Sequence, residues 1–539
     1  MKRFFIFLFS ILFVLPVGAQ KVGLVLSGGG AKGMAHIGVI KVLEDHGIPI
    51  DYVAGTSIGA IIAGLYAAGY SPEEMYDLFS SNEFRLWSTG RLDKEDLYYF
   101  KGKDESPDWI KLDVTKKNDR IKVLFPLNLI PERQMDFAFM ELMSATSAAC
   151  NNNFDSLMVP FRCVSTDIAH NKALIHRGGD LGEAIRASMT FPLVYKPIEI
   201  NGSLQYDGGI VNNFPSDVMK SDFKPDIIIG HKVSDDGGVP DSEDLFAQIE
   251  TLVMQMTNYY LADTVGILLE TPLRDVALFD FQKVDYTNRR GMETALMFID
   301  SIENKVERRV SAEELKARRE AFKARKPNMI FNNIQVEGVP DNLQRKYIIQ
   351  SVKGKERTID IDQFRSAYFK IISDEHIKSI RPLAFYNPQS GLFDVHLKVE
   401  PRKPFDIEIG GMLSTRPISY SFFEANYKTF VNQSFTFSSN FFFGKFYNSF
   451  SIGGRMNTPT SLPVYISSYY TLNSWNYFST SSDVLFADSN PAYVEQSERN
   501  LRVEVGTPFS RTGVIDGGFA SSSSTDQYFQ TNIFNRSDE

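Results

Sequence analysis

The chain is poor in the residues that build metal centres and covalent staples, with two cysteines and seven histidines among 539 residues. The histidines show no spacing suited to a metal site, so no metal is expected. No diffusible cofactor is implied either. Cys150 and Cys163 either pair in an oxidising compartment or stay as two buried thiols. An excess of positive charge is missing too: the formal charge is −9, which leaves no footprint for nucleic acid. The one long apolar run is Phe4 to Pro16, with Lys2-Arg3 before it and Val17-Gly18-Ala19 after it. That pattern reads as a secretory signal peptide over residues 1–19, too short to span a membrane as a mature helix. No cysteine follows the cut after Ala19, which argues against a lipid-modified N-terminus.

What is present centres on Val53-Ala54-Gly55-Thr56-Ser57-Ile58-Gly59-Ala60. It reads as a short buried strand, a tight turn and a helix, the setting in which Gly55-x-Ser57-x-Gly59 forms a nucleophile elbow. A serine on so sharp a turn sits in strained backbone, and side chains two residues either way would collide with neighbouring elements. Upstream, the strand-like Lys21 to Leu26 leads into Ser27-Gly28-Gly29-Gly30-Ala31-Lys32-Gly33 and then a helical pattern from Met34. Glycines there leave backbone N–H groups uncovered at a helix N-terminus, where developing negative charge is best held. Gly28-x-Gly30-x-x-Gly33 also satisfies the dinucleotide fingerprint, but that needs an acid at the end of the second strand, and Asp51 opens that strand instead. Downstream, Ile198 to Tyr206 reads as a hairpin turning at Asn201-Gly202, and it delivers Asp207-Gly208-Gly209. An acid followed by two glycines leaves its carboxylate unobstructed, as a base approaching a serine hydroxyl requires.

Taken in order, Gly28-Gly29-Gly30-x-Lys32-Gly33, Gly55-x-Ser57-x-Gly59, Ala187-Ser188-x-x-x-Pro192 and Asp207-Gly208-Gly209 resemble the patatin-like phospholipases. The resemblance implies a three-layer α/β fold and a Ser-Asp dyad without a triad histidine. Carried over by position, Ser57 is the nucleophile and Asp207 its base. The N–H groups of Gly28, Gly29 and Gly30, with Ile58, form the oxyanion hole. His231, at the end of a core strand, is the one candidate for a third member, and a structural role is preferred for it. His36 reads as packing.

Short apolar runs alternate with helical patterns as far as residue 302, the signature of a mainly parallel sheet covered by helices. Candidate core strands are Gly23–Leu26, Tyr52–Ala54, Phe161–Thr166 and Asp226–Gly230. Residues 70–153 are either peripheral helices or a cap that admits an acyl chain. The charged stretch 303–327, with a capping box at Ser311-Ala-Glu-Glu314, reads as a solvated helical linker. Residues 328–402 read strand, helix, helix, strand, strand. With Asn333-x-x-Val336-Glu337-Gly338 and Tyr386-Asn387, they resemble a polypeptide-transport-associated (POTRA) module, against a generic small α+β domain.

From residue 403, segments of about ten residues alternate apolar and aromatic with Ser, Asn, Thr and Gly, as strands of a transmembrane β-barrel do. A soluble β-sandwich is the competing reading. About eight strands are countable, and the chain closes on Asn535-Arg-Ser-Asp-Glu539 rather than an aromatic residue, so an incomplete barrel is expected. The combined expectation is a secreted serine lipid acyl hydrolase of phospholipase A type, acting on phospholipid or another lipid ester. It would be tethered to the outer membrane of a Gram-negative bacterium, facing the periplasm or the surface, with outer-membrane assembly machinery as the implied partner. The alternatives are a translocation or assembly protein whose hydrolase domain is accessory, and a lipid-binding module without turnover.

Overall fold

The computed structural model describes residues 20–93, 96, 98, 106–117, 120–124, 129–233, 243, 248–249, 251, 257–262, 264–415, 418–430, 433–458, 464–478, 492–510 and 513–528. The leader expected over residues 1–19 and the chain end at Asn535 to Glu539 lie outside them. The chain divides into two compact units. The first draws on residues up to Arg91, Asn128–Asn328 and Pro388–Gly391; the second draws on Leu92–Leu127, Met329–Asn387 and the residues from Leu392 onward.

In chain order the first unit has β1 (Val22–Leu26), α1 (Ala35–Asp45), β2 (Tyr52–Thr56), α2 (Ile58–Ala67), α3 (Pro72–Ser80) and α4 (Asn82–Thr89). The chain then contributes β3 (Asp108–Lys117) and β4 (Arg120–Leu124) to the second unit. It returns as α5 (Arg133–Ala149), β5 (Phe161–Asp167), β6 (Lys172–His176), α6 (Leu181–Ser188), β7 (Ile198–Ile200) and β8 (Ser203–Asp207). After these come α7 (Ser216–Asp222), β9 (Ile227–Lys232), β10 (Gly266–Glu270), α8 (Val284–Lys305) and α9 (Ala312–Lys323).

The sheet of this unit runs β10-β9-β1-β2-β5-β8-β7, with β6 beside β5. The strands from β10 to β5 are parallel, and the antiparallel β7–β8 hairpin is joined to β5 through β8. That hairpin turns at Asn201 and Gly202 with φ of 51° and 78°, as the Asn-Gly pair requires. Successive residues of β1 feed opposite cores. Leu24 and Leu26 pack with Ile37, Ile40, Ile61 and Ile299, and Val25 packs with Phe214, Met219, Ile228 and Leu261. Helices therefore bury both faces of the sheet, which explains why its strands are apolar without alternation.

The charged stretch after α8 is not a solvated linker. Ser311 caps α9 by accepting the Glu314 N–H, but Leu315 and Phe322 are buried. Arg319 pairs with Glu44, Lys323 pairs with Glu74, and Lys326 Nζ donates to Ala68 O. Two apolar residues two turns apart on one face dock this otherwise polar helix once its charges find partners.

The second unit continues with β11 (Ile330–Glu337), α10 (Asn342–Lys353), β12 (Ile359–Asp360), α11 (Ile361–Ile372), β13 (Ile377–Asn387) and β14 (Leu392–Pro401). This is the element order read from the sequence, with one short added strand. Its sheet runs β12-β11-β14-β13, in which β11 and β14 are parallel. Seven further strands follow: β15 (Phe405–Met412), β16 (Tyr420–Phe430), β17 (Ser434–Gly444), β18 (Tyr447–Asn457), β19 (Tyr465–Phe478), β20 (Ala492–Pro508) and β21 (Val514–Tyr528). They form one antiparallel sheet in sequence order, and β3 and β4 extend it beyond β15 to nine strands. Among the described residues, β4 and β21 each pair on one side only.

The faces of this sheet are inverted relative to a soluble protein. The register aligns Ile409 with Phe423, Tyr427 with Phe437, Ile452 with Tyr470, Tyr470 with Leu501 and Val503 with Phe519. That face is open, with Phe437 41%, Tyr470 40% and Val503 37% exposed, whereas Glu408 and Glu424 on the other face are 1% and 4% exposed. On the covered face Lys428 Nζ lies 3.2 Å from Asp406 and 3.5 Å from Glu375, so buried charges meet partners.

The docking of α9 makes a testable statement. Phe322→Ala removes a large buried ring and is expected to cost about 3–5 kcal/mol, read as a lower unfolding midpoint in denaturant; a solvated linker would show no change.

Candidate active site

β2 ends at Thr56 and α2 begins at Ile58, so Ser57 alone makes the turn, with φ 56° and ψ −125°. A non-glycine residue held there stores about 1–3 kcal/mol of strain, which the surroundings must impose. They impose it by crowding. A Cβ on Gly55 would lie 2.3 Å from Gly59 O, and one on Gly59 would lie 2.5 Å from Leu26 O. The turn is also tied from outside. The Ser57 N–H donates to Ser188 Oγ at 3.1 Å, and Ser188 Oγ donates to Val164 O at 2.6 Å. Ser188 of the Ala-Ser-x-x-x-Pro stretch thus braces the elbow against β5, a role its motif did not reveal.

Ser57 Oγ donates to Asp207 Oδ2 at 2.7 Å. Asp207 sits at the end of β8, 1% exposed. Its Oδ1 accepts the Gly209 N–H at 2.8 Å, its own N–H donates to Thr190 O at 2.8 Å, and its carbonyl accepts from Thr166 Oγ1 at 2.8 Å. The second of the paired glycines therefore supplies a donor. The first permits close approach, because a Cβ on Gly208 would lie 2.1 Å from Val164 O. Both halves of the pair rest on β5, whose neighbours are β2 and β8.

The glycine loop divides in its roles. The Gly28 N–H donates to Asn213 O at 3.1 Å, so the expected three-glycine anion hole loses its first member to a structural bond. Gly29, with φ 155°, and Gly30, with φ 56°, line the same pocket as Ser57 and Ile58. Among the described residues no acceptor meets the N–H of Gly29, Gly30 or Ile58. Gly33 lets the loop press on the elbow, since its Cβ would fall 2.2 Å from Ile58 Cγ2. Lys32 is buried. The helix behind Ser57 runs ten residues, so its N-terminal field adds to those amides.

The rest of the pocket is apolar: Ile61, Phe84 of α4, Met135 of α5, Met189, Phe191, Leu278, Phe279 and Phe281, with Ser88, Tyr195 and Asn213. No charged side chain lines it among the described residues. Of residues 70–153, α4 and α5 wall the pocket, α5 with most of its residues buried, whereas Asp108–Leu124 belongs to the sheet of the second unit. Asn213 and the Leu278-Phe279-x-Phe281 run were not singled out from sequence. The aromatic repeat was the available signal, but without a helical or strand period it points to no element.

Histidine does not reach Ser57. His36 Nε2 lies 2.9 Å from Ser27 O and its Nδ1 lies 2.7 Å from His231 Nδ1, while His231 Nε2 lies 2.8 Å from Thr271 Oγ1. Every ring nitrogen of the pair is occupied. Burial pushes His36 down to about 4 and His231 well below its ordinary value, so both are neutral at pH 7. With Nε2–H of His36 on Ser27 O, its Nδ1 accepts from His231 Nδ1–H. The pair pins β1, α1 and β9 together. Cys150 and Cys163 are both buried free thiols, and burial pushes their pKa values up and keeps them protonated, so the second reading of the cysteines holds.

Residues 24–220 match the family model described as patatin-like phospholipase. This stretch is a patatin-like domain. Lysophospholipase NTE1 of Yarrowia lipolytica is 34% identical over 205 residues, covering 38% of this chain and 12% of that protein. The patatin-like phospholipase domain-containing protein ZK370.4 of Caenorhabditis elegans is 34% identical over 203 residues, covering 37% of this chain and 13% of that protein. The chain thus spans about an eighth of the length of these relatives. Among solved structures, VipD from Legionella pneumophila is 13% identical with a TM-score of 0.30, covering 57% of this chain and 74% of that one. BamA from Haemophilus ducreyi is 9% identical with a TM-score of 0.29, covering 37% of this chain and 36% of that one. Likenesses this distant carry no argument here.

Two outcomes test the description of the site. Ser188→Ala leaves the Ser57 N–H without its acceptor and is expected to cost about 1–3 kcal/mol, measured as a lowered unfolding midpoint. For His36 the folded value of about 4 lies below the unfolded value of 6.5, so its contribution is complete above pH 6.5 and is lost as pH falls toward 4. The loss at the bottom of that window is about 3 kcal/mol for His36 alone. A melting temperature flat from pH 7 to 4.5 would contradict it.

Proposed function

We propose that the protein is a serine lipid acyl hydrolase of phospholipase A type, using a Ser57–Asp207 dyad. The observation that carries this is the 2.7 Å bond from Ser57 Oγ, in the lining of an apolar pocket, to the buried carboxylate of Asp207. Asp207 takes the hydroxyl proton as Ser57 Oγ attacks the ester carbonyl carbon. Charge developing on the carbonyl oxygen is held by the N–H groups of Gly29, Gly30 and Ile58. Collapse of the tetrahedral intermediate breaks the ester C–O bond, and Asp207 returns its proton to the leaving alcohol. Water then attacks the acyl-enzyme with Asp207 again as base, releasing the fatty acid and regenerating Ser57. Gly209 keeps the carboxylate aimed throughout by donating to Oδ1.

The reading extends to location. Sheet strands with apolar residues on the open face and paired charges on the covered face are the pattern of a transmembrane barrel, and they support an outer-membrane tether in a Gram-negative bacterium. Residues 329–401 then serve as a POTRA-like periplasmic module, and residues 1–19 as the signal that takes the chain across the inner membrane. Outer-membrane assembly machinery is the corresponding partner.

The test uses the full chain in phospholipid vesicles, following fatty-acid release from a short-chain ester, a lysophospholipid and a diacyl phospholipid. Ser57→Ala and Asp207→Asn are each expected to lower the rate by at least about a thousandfold. Wild-type turnover that survives Ser57→Ala overturns the assignment.

A further inference from the structure

The strands β3 and β4 come from the middle of the hydrolase sequence, yet they belong to the sheet of the second unit. β3 is antiparallel to β15 and places Val114, Leu112 and Ile110 opposite Phe405, Ile407 and Ile409. These are the positions through which β15 joins the open apolar face. β4 continues the pattern by setting Val123 opposite Val114. Ile110 and Val123 are 52% and 46% exposed, as open as the residues at the middle of the sheet. The alternate residues behave oppositely. Lys111 Nζ lies 2.9 Å from Asp406 and 2.6 Å from Glu408 on the covered face. Asp113 lies 3.8 Å from Lys378. Glu408 and Glu424 face each other across β15 and β16, a like-charge pair that would be destabilising without a cation. Lys111 from the inserted strand supplies one.

We infer that the Asp108–Leu124 hairpin is embedded in the membrane as part of the lipid-facing sheet, with bilayer hydrocarbon covering Ile110, Leu112, Val114 and Val123. The inference rests on the membrane reading of that sheet given above. β3 has ten residues, the length a tilted strand needs to cross. Its apolar face continues that of β15 in register, and Lys111 and Asp113 on its other face meet charged partners on the covered side. Water is a poor occupant for that face and hydrocarbon a good one.

The insertion departs after α4 and returns before α5, the two helices that carry Phe84, Ser88 and Met135 of the pocket wall. The catalytic sequence is therefore fixed to the bilayer through its own chain as well as through the C-terminal strands. One cut between α9 and β11 leaves the hydrolase strand-paired to the sheet.

The test is depth-dependent quenching on the full chain, whose native thiols are both buried. Single cysteines are introduced as Ile110→Cys, Val123→Cys, Lys122→Cys and Val503→Cys, labelled with an environment-sensitive dye and reconstituted in phosphatidylcholine–phosphatidylethanolamine vesicles carrying nitroxide-labelled acyl chains. Dyes at 110, 123 and 503 are expected to lose fluorescence to the nitroxide lipids and resist aqueous iodide, and the dye at 122 to do the reverse. Lipid quenching at 503 with iodide access at 110 and 123 overturns the hairpin inference and leaves the sheet in the membrane. Iodide access at all four positions overturns the membrane reading itself.

Discussion

The first unit depends on one steric constraint: β2, α2 and the glycine loop meet where there is no room for side chains. Ser57 occupies a backbone conformation that it would leave if any neighbour could relax. The carbonyls of Leu26 and Gly59 close on Gly59 and Gly55, and Ser188 holds the Ser57 amide from the far side. The same crowding brings β8 close enough for Asp207 to meet the hydroxyl. Strain at the serine is thus offset by packing in a sheet buried on both faces, and the apolar pocket is what the surrounding helices leave open. Neutral buried histidines at the neighbouring strand end extend that dry environment, which keeps a carboxylate–hydroxyl pair free of competing bases.

The second unit solves a different problem with the same period-two rule. Apolar residues face out and charged residues face in, so a single alternation fixes both what the sheet presents to its surroundings and where its ion pairs must form. Lys111, Asp406, Glu408, Lys428 and Glu375 make one connected set across β3, β15, β16 and the turn before β13. Removing Lys111 would take one cation from both Asp406 and Glu408, and removing Lys428 would take one from both Asp406 and Glu375.

Much of the site was legible because each of its parts imposes a local backbone demand that only certain residues meet. The glycine loop, the Gly55-x-Ser57-x-Gly59 turn and Asp207-Gly208-Gly209 are written within a few residues each, and so is the Asn201-Gly202 hairpin. The strands beside them were readable as short apolar runs. What could not be read depends on partners distant in sequence. Gly28 looked like an anion donor until Asn213 took its N–H. The hairpin at Asp108–Leu124 alternates as any strand does, but β15, which gives it meaning, lies about three hundred residues away. Helix α9 was misjudged because seven of its twelve residues are charged, whereas the two buried side chains of Leu315 and Phe322 decide where the helix rests.

The measurement that bears most directly on the account is covalent labelling of the full chain with a fluorophosphonate ester carrying an alkyl tail, followed by peptide mass spectrometry. The account predicts one adduct, on Ser57 in the peptide that spans the elbow, with labelling blocked by a long-chain ester substrate. An adduct on another serine, or ester hydrolysis that continues with Ser57 fully modified, would contradict it.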